Sequence, residues 1–445
     1  MLSLSIVVNA DFDWRFIMKT RIHNAKILTM VPDSSGNVSD EILYGEIGIG
    51  DGIITYVGEN AQGVWDEEID AKGNLVMPGF KNAHTHSPMT FLRSYADDMA
   101  LQEWLFDYVF PAEAKLTPED GYWLTRLAIL EYLTSGVTTT FDMYYLRDEV
   151  ARAFKDAKFR NIFADTLMDV AGSIEDMEAD FLRFNKKENS LVGHRFGFHA
   201  EYTTSKELIQ KIVALADKYK APIYLHCQES VPEVESCREK TGMTPIAYLD
   251  ALGVFNNGGG IYHGVILDED DFDILKKHNI YVITNPASNL KIASGIAPIN
   301  EYLKRGIKVA IGTDGPASNN ALDMFREMFL VTALQKVTTR NPKVVPAMEV
   351  LKMAIVNGAH AIGIEDCDSL AVGKRADIIM LDLQQPNMQP IQNIAKNIVY
   401  SGSKLNIKMT MINGDILYKN GEFIQDISAK EIYDNANKIA RRILG

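Results

Sequence analysis

The spacing of apolar and polar positions divides the chain into three stretches. Between residues 19 and 77 the apolar runs are short and broken by turns, and Thr20-Arg21-Ile22-His23-Asn24-Ala25-Lys26-Ile27 opens a first strand. Asp51-Gly52, set between two apolar runs, is a hairpin signal; the glycines around it do not make a phosphate loop, because no helix follows them. From about residue 78 to 370, β-rich runs alternate with helical patterns over 119–135, 205–219, 268–278 and 321–335. That alternation implies βα units around a parallel sheet, and a stretch of this length suits eight of them closed into a barrel. Beyond 370 the pattern returns to strands at 376–383, 397–401 and 407–417, the last around Asn413-Gly414-Asp415, before a helix over 428–444.

The fold class expected is therefore α/β. Residues 78–370 form a (β/α)8 TIM-like barrel, inserted into a small composite β-sandwich made of residues 19–77 and 371–425, and residues 426–445 supply a C-terminal helix. Residues 1–18 read as an N-terminal extension. Leu2 to Val8 is apolar but lacks a basic start and runs into Asp11-Phe12-Asp13, which argues against a signal peptide and makes Met18 the natural start.

Composition narrows the partners. The chain has 445 residues, 47% of them hydrophobic, enough for one large core and a smaller one. A net charge of −14 without a Lys/Arg block argues against nucleic acid or an anionic membrane as partner and favours a small molecule. No apolar run is long enough to span a bilayer. The three cysteines, Cys227, Cys237 and Cys367, form no C-x-x-C pair and fit free thiols in a reducing cytoplasm. Cys227 is expected to point away from its neighbour His226 and pack.

The candidate chemistry lies where strands should end. His84 and His86 are two apart in a strand, so both imidazoles can face one cation. His226, His263 and Asp314 each close another β-rich run. Three histidines and an aspartate can hold a zinc-like ion and leave a position for water, and the ion brings that water's pKa toward neutrality. Glu229, three residues past His226, is either a proton shuttle over such a site or a solvated loop glutamate beside Glu233 and Glu235. His199 ends a further strand-like run and is placed to line the same mouth. His23, His194, His278 and His360 lie in contexts that suit structural or exposed roles. Trp104, Phe106 and Tyr108 could stack on a planar ring, or serve as core or lid. Deaminases built on His-x-Glu with Pro-Cys-x-x-Cys are excluded, since the cysteine pair is missing.

Longer motifs then carry a resemblance. Met77-Pro78-Gly79-Phe80-Lys81-Asn82-Ala83-His84-Thr85-His86, Ala96-Asp97-Asp98, Glu103-Trp104-Leu105, Pro111-Ala112-Glu113-Ala114-Lys115-Leu116-Thr117, Ser135-Gly136-Val137-Thr138-Thr139-Thr140, Asn285-Pro286-Ala287-Ser288-Asn289-Leu290-Lys291 and Gly312-Thr313-Asp314-Gly315 resemble the amidohydrolase superfamily. Within it, they resemble the methylthioadenosine/S-adenosylhomocysteine deaminases, over nearly all of residues 19 to 425. The resemblance implies one divalent metal held by His84, His86, His226 and Asp314, usually zinc, with iron, manganese or nickel as alternatives. It implies that Glu229 protonates the purine N1, that His263 orients the attacking water and that Asp314 accepts its proton, so that C6 of an adenosine-type nucleoside loses ammonia.

For substrate binding the resemblance implies Glu113 on the ribose hydroxyls, His199 at the purine N3 edge, and Trp104 and Ser318 as further pocket residues. Arg160 resembles an arginine that grips a substrate carboxylate from a neighbouring subunit, so a homo-oligomer, dimer or tetramer, is implied. Residues 170–180 hold no second arginine, which points to adenosine, 5′-deoxyadenosine or methylthioadenosine above S-adenosylhomocysteine. The alternative reading is an amidohydrolase acting on a guanine, pterin or triazine ring.

Overall fold

The structure is a computed structural model that describes residues 18–99, 103–186 and 191–445. The extension expected over residues 1–18 lies, but for Met18, outside the described residues.

The first half of the opening sheet comes from the N-terminal stretch: β1 (Lys19–Ile27), β2 (Leu43–Gly50), β3 (Ile53–Gly58), β4 (Glu67–Asp70) and β5 (Leu75–Pro78). The other half comes from the far end of the chain. Following the eight strands of the barrel, the chain forms β14 (Ile378–Leu381), β15 (Ile407–Ile412), β16 (Asp415–Lys419) and β17 (Glu422–Phe423). The halves meet where β14 pairs antiparallel with β5, giving one nine-stranded sheet. Its core is aliphatic, with Ile22, Ile47, Ile54, Val76, Ile378 and Met411 in one cluster. Asp51 and Gly52, at φ of 51° and 73°, make the expected β2–β3 turn, a two-residue loop with both centres left-handed.

The barrel strands run in parallel from β6 (Phe80–Thr85) through β7 (Val137–Met143), β8 (Arg160–Ala164), β9 (Val192–Ala200), β10 (Ile223–Cys227), β11 (Gly259–His263) and β12 (Tyr281–Thr284) to β13 (Val309–Ile311). The ring closes just beyond β13, where the Asp314 N–H donates to the His84 carbonyl at 3.0 Å. The Asn82 side chain reinforces that seam, accepting from Thr313 N at 2.9 Å and donating to Thr313 Oγ1 at 2.7 Å. Inward-facing residues such as Phe141, Ile162, Tyr224, Tyr262 and Ile283 fill the interior. The larger cluster lies between the strands and the surrounding helices, so the interior is a packed core and not a pore.

The expected helices are present within a few residues of their predicted ends, for instance Pro118–Thr134, whose Thr117 and Asp120 form a capping box. One expected element changes type. Residues 397–401 were expected as a strand, but they belong to the helix Ile394–Tyr400, which buries Ile394, Ala395, Ile398 and Val399 at helical spacing and is capped by Asn393. A short apolar run carries too few positions to separate the two periods. The last helix, Ala429–Leu444, packs on Pro118–Thr134, and Arg442 pairs with Asp120 at 2.5 Å. Among the described residues no helix is long and apolar enough to cross a membrane.

Candidate functional site

The C-terminal ends of β6, β10 and β11 and the turn after β13 bring the expected residues together. His84 Nε2 and His86 Nε2 lie 3.5 Å and 3.3 Å from Asp314 Oδ1, and His226 Nε2 is 3.4 Å from His86 Nε2. Ligand atoms of His84, His226 and His263 lie within 4.8 Å of one another, as do those of His84, His86 and Asp314. His263 and Asp314 both adopt left-handed backbone, at φ of 73° and 61°. Outside turns and helix ends non-glycine residues seldom hold such angles, and strain of this kind gathers at functional sites.

Three of the four imidazoles are aimed by their other nitrogen. His86 Nδ1 faces the Met143 carbonyl at 2.7 Å, His226 Nδ1 the His199 carbonyl at 2.8 Å, and His263 Nδ1 the Asn289 Oδ1 at 2.8 Å. Carbonyl acceptors assign the proton to Nδ1, so the Nε2 lone pairs face one another across the centre. His84 is fully buried, stacked on Tyr262 at 3.7 Å, and neither of its ring nitrogens has a hydrogen-bond partner. An orphaned buried polar atom costs on the order of 1–3 kcal/mol, a penalty that a cation among these lone pairs removes.

The protonation states agree with that fit. Burial drives His84 down to about 3 and His226 well below its usual value, so both stay neutral. Burial alone would raise the Asp314 carboxyl, but the histidine rings beside it hold it well below the usual carboxylate range. Its Oδ2 accepts from the Ser288 and Ser318 hydroxyls at 2.7 Å and 2.8 Å, and its Oδ1 from Gly315 N at 2.7 Å. Neutral imidazoles and an ionised carboxylate are the ligand forms that a divalent metal takes; His86, raised by the neighbouring Asp314 against the effect of burial, would give up its proton to a bound metal.

Above this centre opens a cavity of about 740 Å³ lined by His86, Trp104, Glu113, His199, His226, Glu229, His263, Asp314 and Ser318. Glu229 is buried, with Oε2 at 3.7 Å from His263 Nε2, so the solvated-loop alternative does not hold. Burial pushes its carboxyl up to about 7. Glu113, across the cavity, is also pushed up to about 7 by burial, against the effect of the hydrogen bond it accepts from Tyr144 Oη at 2.6 Å. His199 is lowered to about 3 by burial and meets Thr203 Oγ1 at 3.0 Å through Nδ1. Trp104 opens a π-helical turn, Trp104–Val109, that puts Trp104 and Leu105 on the cavity wall while Phe106 faces outward. Ser318 lines the cavity too, with its hydroxyl committed to Asp314.

Arg160 is not brought to this site. It begins β8 at the other end of the barrel, buried, and its Nε and Nη2 pair with Asp377 Oδ2 and Oδ1 at 2.9 Å and 3.0 Å. Within its own chain the guanidinium is chelated under the barrel, away from the cavity.

Several residues of the site had gone unread. Glu233, read from the sequence only as a neighbour of Glu229, is buried and accepts from the backbone N–H groups of Gln228 at 2.6 Å, Glu229 at 2.8 Å and Ser230 at 3.3 Å, fixing the turn that carries Glu229. The signal was present in Ser230-Val231-Pro232-Glu233, a capping-box spacing. Ser288 and Asn289 lay in a recognised motif without a role, and nothing in the sequence tied Tyr144 to Glu113. His278 and His360, outside the site as their structural or exposed contexts imply, lie beside Asp250 at 2.7 Å and Asp368 at 2.8 Å. Cys227 packs in the core away from the centre, as expected.

Residues 75–417 match the amidohydrolase family. The chain belongs to that family. Among curated relatives, it is 40% identical over 394 residues to a 5-methylthioadenosine/S-adenosylhomocysteine deaminase of Syntrophomonas wolfei, covering 87% of this chain and 91% of the relative. It is 39% identical over 406 residues to a 5′-deoxyadenosine deaminase of Methanosarcina acetivorans, covering 90% and 92%. Among solved structures, an adenosine deaminase of Xanthomonas campestris with bound zinc superposes with a TM-score of 0.89 at 28% identity, covering 96% of this chain and 98% of that one.

Proposed function

We propose that this amidohydrolase is a metal-dependent deaminase of adenosine-type nucleosides, a hydrolase of the C6–N bond with adenosine, 5′-deoxyadenosine and methylthioadenosine as substrates. One observation carries the reading: a buried carboxyl near neutrality, Glu229, stands beside a convergent set of imidazoles and an ionised aspartate at the floor of a nucleoside-sized cavity. The names of the relatives support the ring and the sugar.

His84, His86, His226 and Asp314 would hold one divalent cation, with zinc the metal favoured by the nitrogen-rich donor set and by the zinc-bound relative. The cation supplies an acidified water and charge stabilisation. The rest is done by side chains. Glu229, protonated near neutral pH, gives its proton to purine N1 and so makes C6 electrophilic. His263, fixed by Asn289, orients the water toward C6. Asp314, steadied by Ser288 and Ser318, takes up the proton that the water releases. Glu113, held by Tyr144, grips the ribose, and His199 faces the purine N3 edge.

A ring-only substrate has no use for Glu113, which separates this reading from guanine, pterin or triazine chemistry. The test is ammonia release by the metal-loaded chain on adenosine and on adenine, with the wild type and Glu113→Ala. Turnover of the nucleoside that falls at least about tenfold in Glu113→Ala, a typical loss for one hydrogen-bonded contact to a charged group, supports the reading. Absence of turnover on every purine nucleoside refutes it.

A further inference from the structure

The part of the cavity away from the metal centre is lined by Arg147, Arg183, Asp148, Asp165, Asp176 and Asp180. Two cations there resemble a receptor for an anionic substrate tail, but both are already engaged. Arg147 donates through Nε to Asp180 and through Nη1 to Asp165 Oδ1 at 3.3 Å. Arg183 Nη2 reaches Asp180 Oδ1 and Asp148 Oδ1, each at 2.6 Å. Four carboxylates against two guanidinium groups leave a surplus of two negative charges. The inner part of that surplus is the less screened: Asp165 and Asp180 are buried, and Asp165 Oδ2 accepts no hydrogen bond although His194 Nε2 lies 3.2 Å away.

We propose that this outer wall makes the enzyme select 5′ substituents by charge, taking neutral and cationic ones and rejecting anionic ones such as a 5′-phosphate. The inference rests on the deaminase reading and extends it to the far end of the substrate. A nucleoside bound with its C6 at the metal centre and its ribose at Glu113 directs its 5′ substituent toward this wall. An anion there faces the surplus carboxylates in a partly desolvated cavity, where charges a few ångströms apart interact far more strongly than in water. A 5′-ammonium meets the same carboxylates favourably.

The test is kcat/KM of the metal-loaded full chain on 5′-deoxyadenosine, methylthioadenosine, 5′-amino-5′-deoxyadenosine and adenosine 5′-monophosphate, at low and high salt. The monophosphate should fall roughly tenfold or more below 5′-deoxyadenosine, with the gap narrowing as salt shortens the Debye length from ~30 Å toward ~8 Å. The 5′-amino compound should equal or exceed 5′-deoxyadenosine. Asp180→Asn should raise the ratio of monophosphate to 5′-deoxyadenosine turnover; should that variant fail to fold, Asp176→Asn, at an exposed position, carries the same test with a smaller rise. A monophosphate turned over within about threefold of 5′-deoxyadenosine overturns the inference. So does a rejection that neither salt nor either substitution alters, because the barrier is then steric. Absence of turnover on all four compounds refutes the deaminase reading and this inference with it.

Discussion

The two ends of the barrel treat buried charge in opposite ways. At the N-terminal end, Arg160 is chelated by Asp377, which also accepts from Asn413 N at 2.8 Å, and Lys81 donates to Gly79 O and Thr138 Oγ1, each at 2.9 Å. At the C-terminal end, His84 has no hydrogen-bond partner for either nitrogen and Glu229 sits in a cavity with its carboxyl pushed to about 7. Groups closed on one another stabilise the fold; groups left open and facing a common point are available to a ligand. This is the general division of labour in such barrels, and it explains why Arg160 belongs to the first set.

The comparison can be broken most sharply at the open end. Glu229→Gln should lower kcat by about 10²–10⁴-fold, the usual weight of a general acid, while metal content and the thermal midpoint stay near wild type. Loss of metal and fold together with activity would assign Glu229 to structure instead. At the closed end the expected pattern is inverted. Asp377→Ala removes the carboxylate that chelates the buried Arg160 guanidinium and should cost on the order of 3–5 kcal/mol of stability in denaturant titration, with kcat/KM per folded molecule retained. A stable variant that had lost activity would erase the distinction between the two ends.

The smallest effect is in pH. His84 is held near 3 in the folded chain against about 6.5 when unfolded, so below 6.5 the unfolded state binds the extra proton. The metal-stripped protein should therefore lose stability as pH falls from about 6.5 toward 3, and His84→Asn should make that loss shallower. An unchanged slope would mean that His84 does not carry the buried neutral form. Asp377, held low by Arg160 against the effect of burial, should contribute only at the acid end of the range.

Much of this was legible in the chain. The β-rich runs ending in His84, His226, His263 and Asp314 placed the metal candidates at strand ends, because period-2 patterning and turn residues are local properties. The helix over residues 394–400 was misread because its apolar run is too short to show a period. Glu229 could not be told from a solvated loop residue, since burial depends on what packs over it.

The sequence by itself determined the element order, the metal-ligating residue types and the amidohydrolase resemblance, all of which rest on spacing along one strand or motif. Only the tertiary structure decided which charges are spent on each other. Arg160 finds Asp377 across 217 positions, and Arg147 finds Asp165 and Asp180 across 18 and 33, none at a spacing that a helix or strand period predicts. Pairing of that kind is a property of closed three-dimensional packing. It fixes which arginines are already spent on carboxylates of their own chain, as Arg160 and Arg147 are.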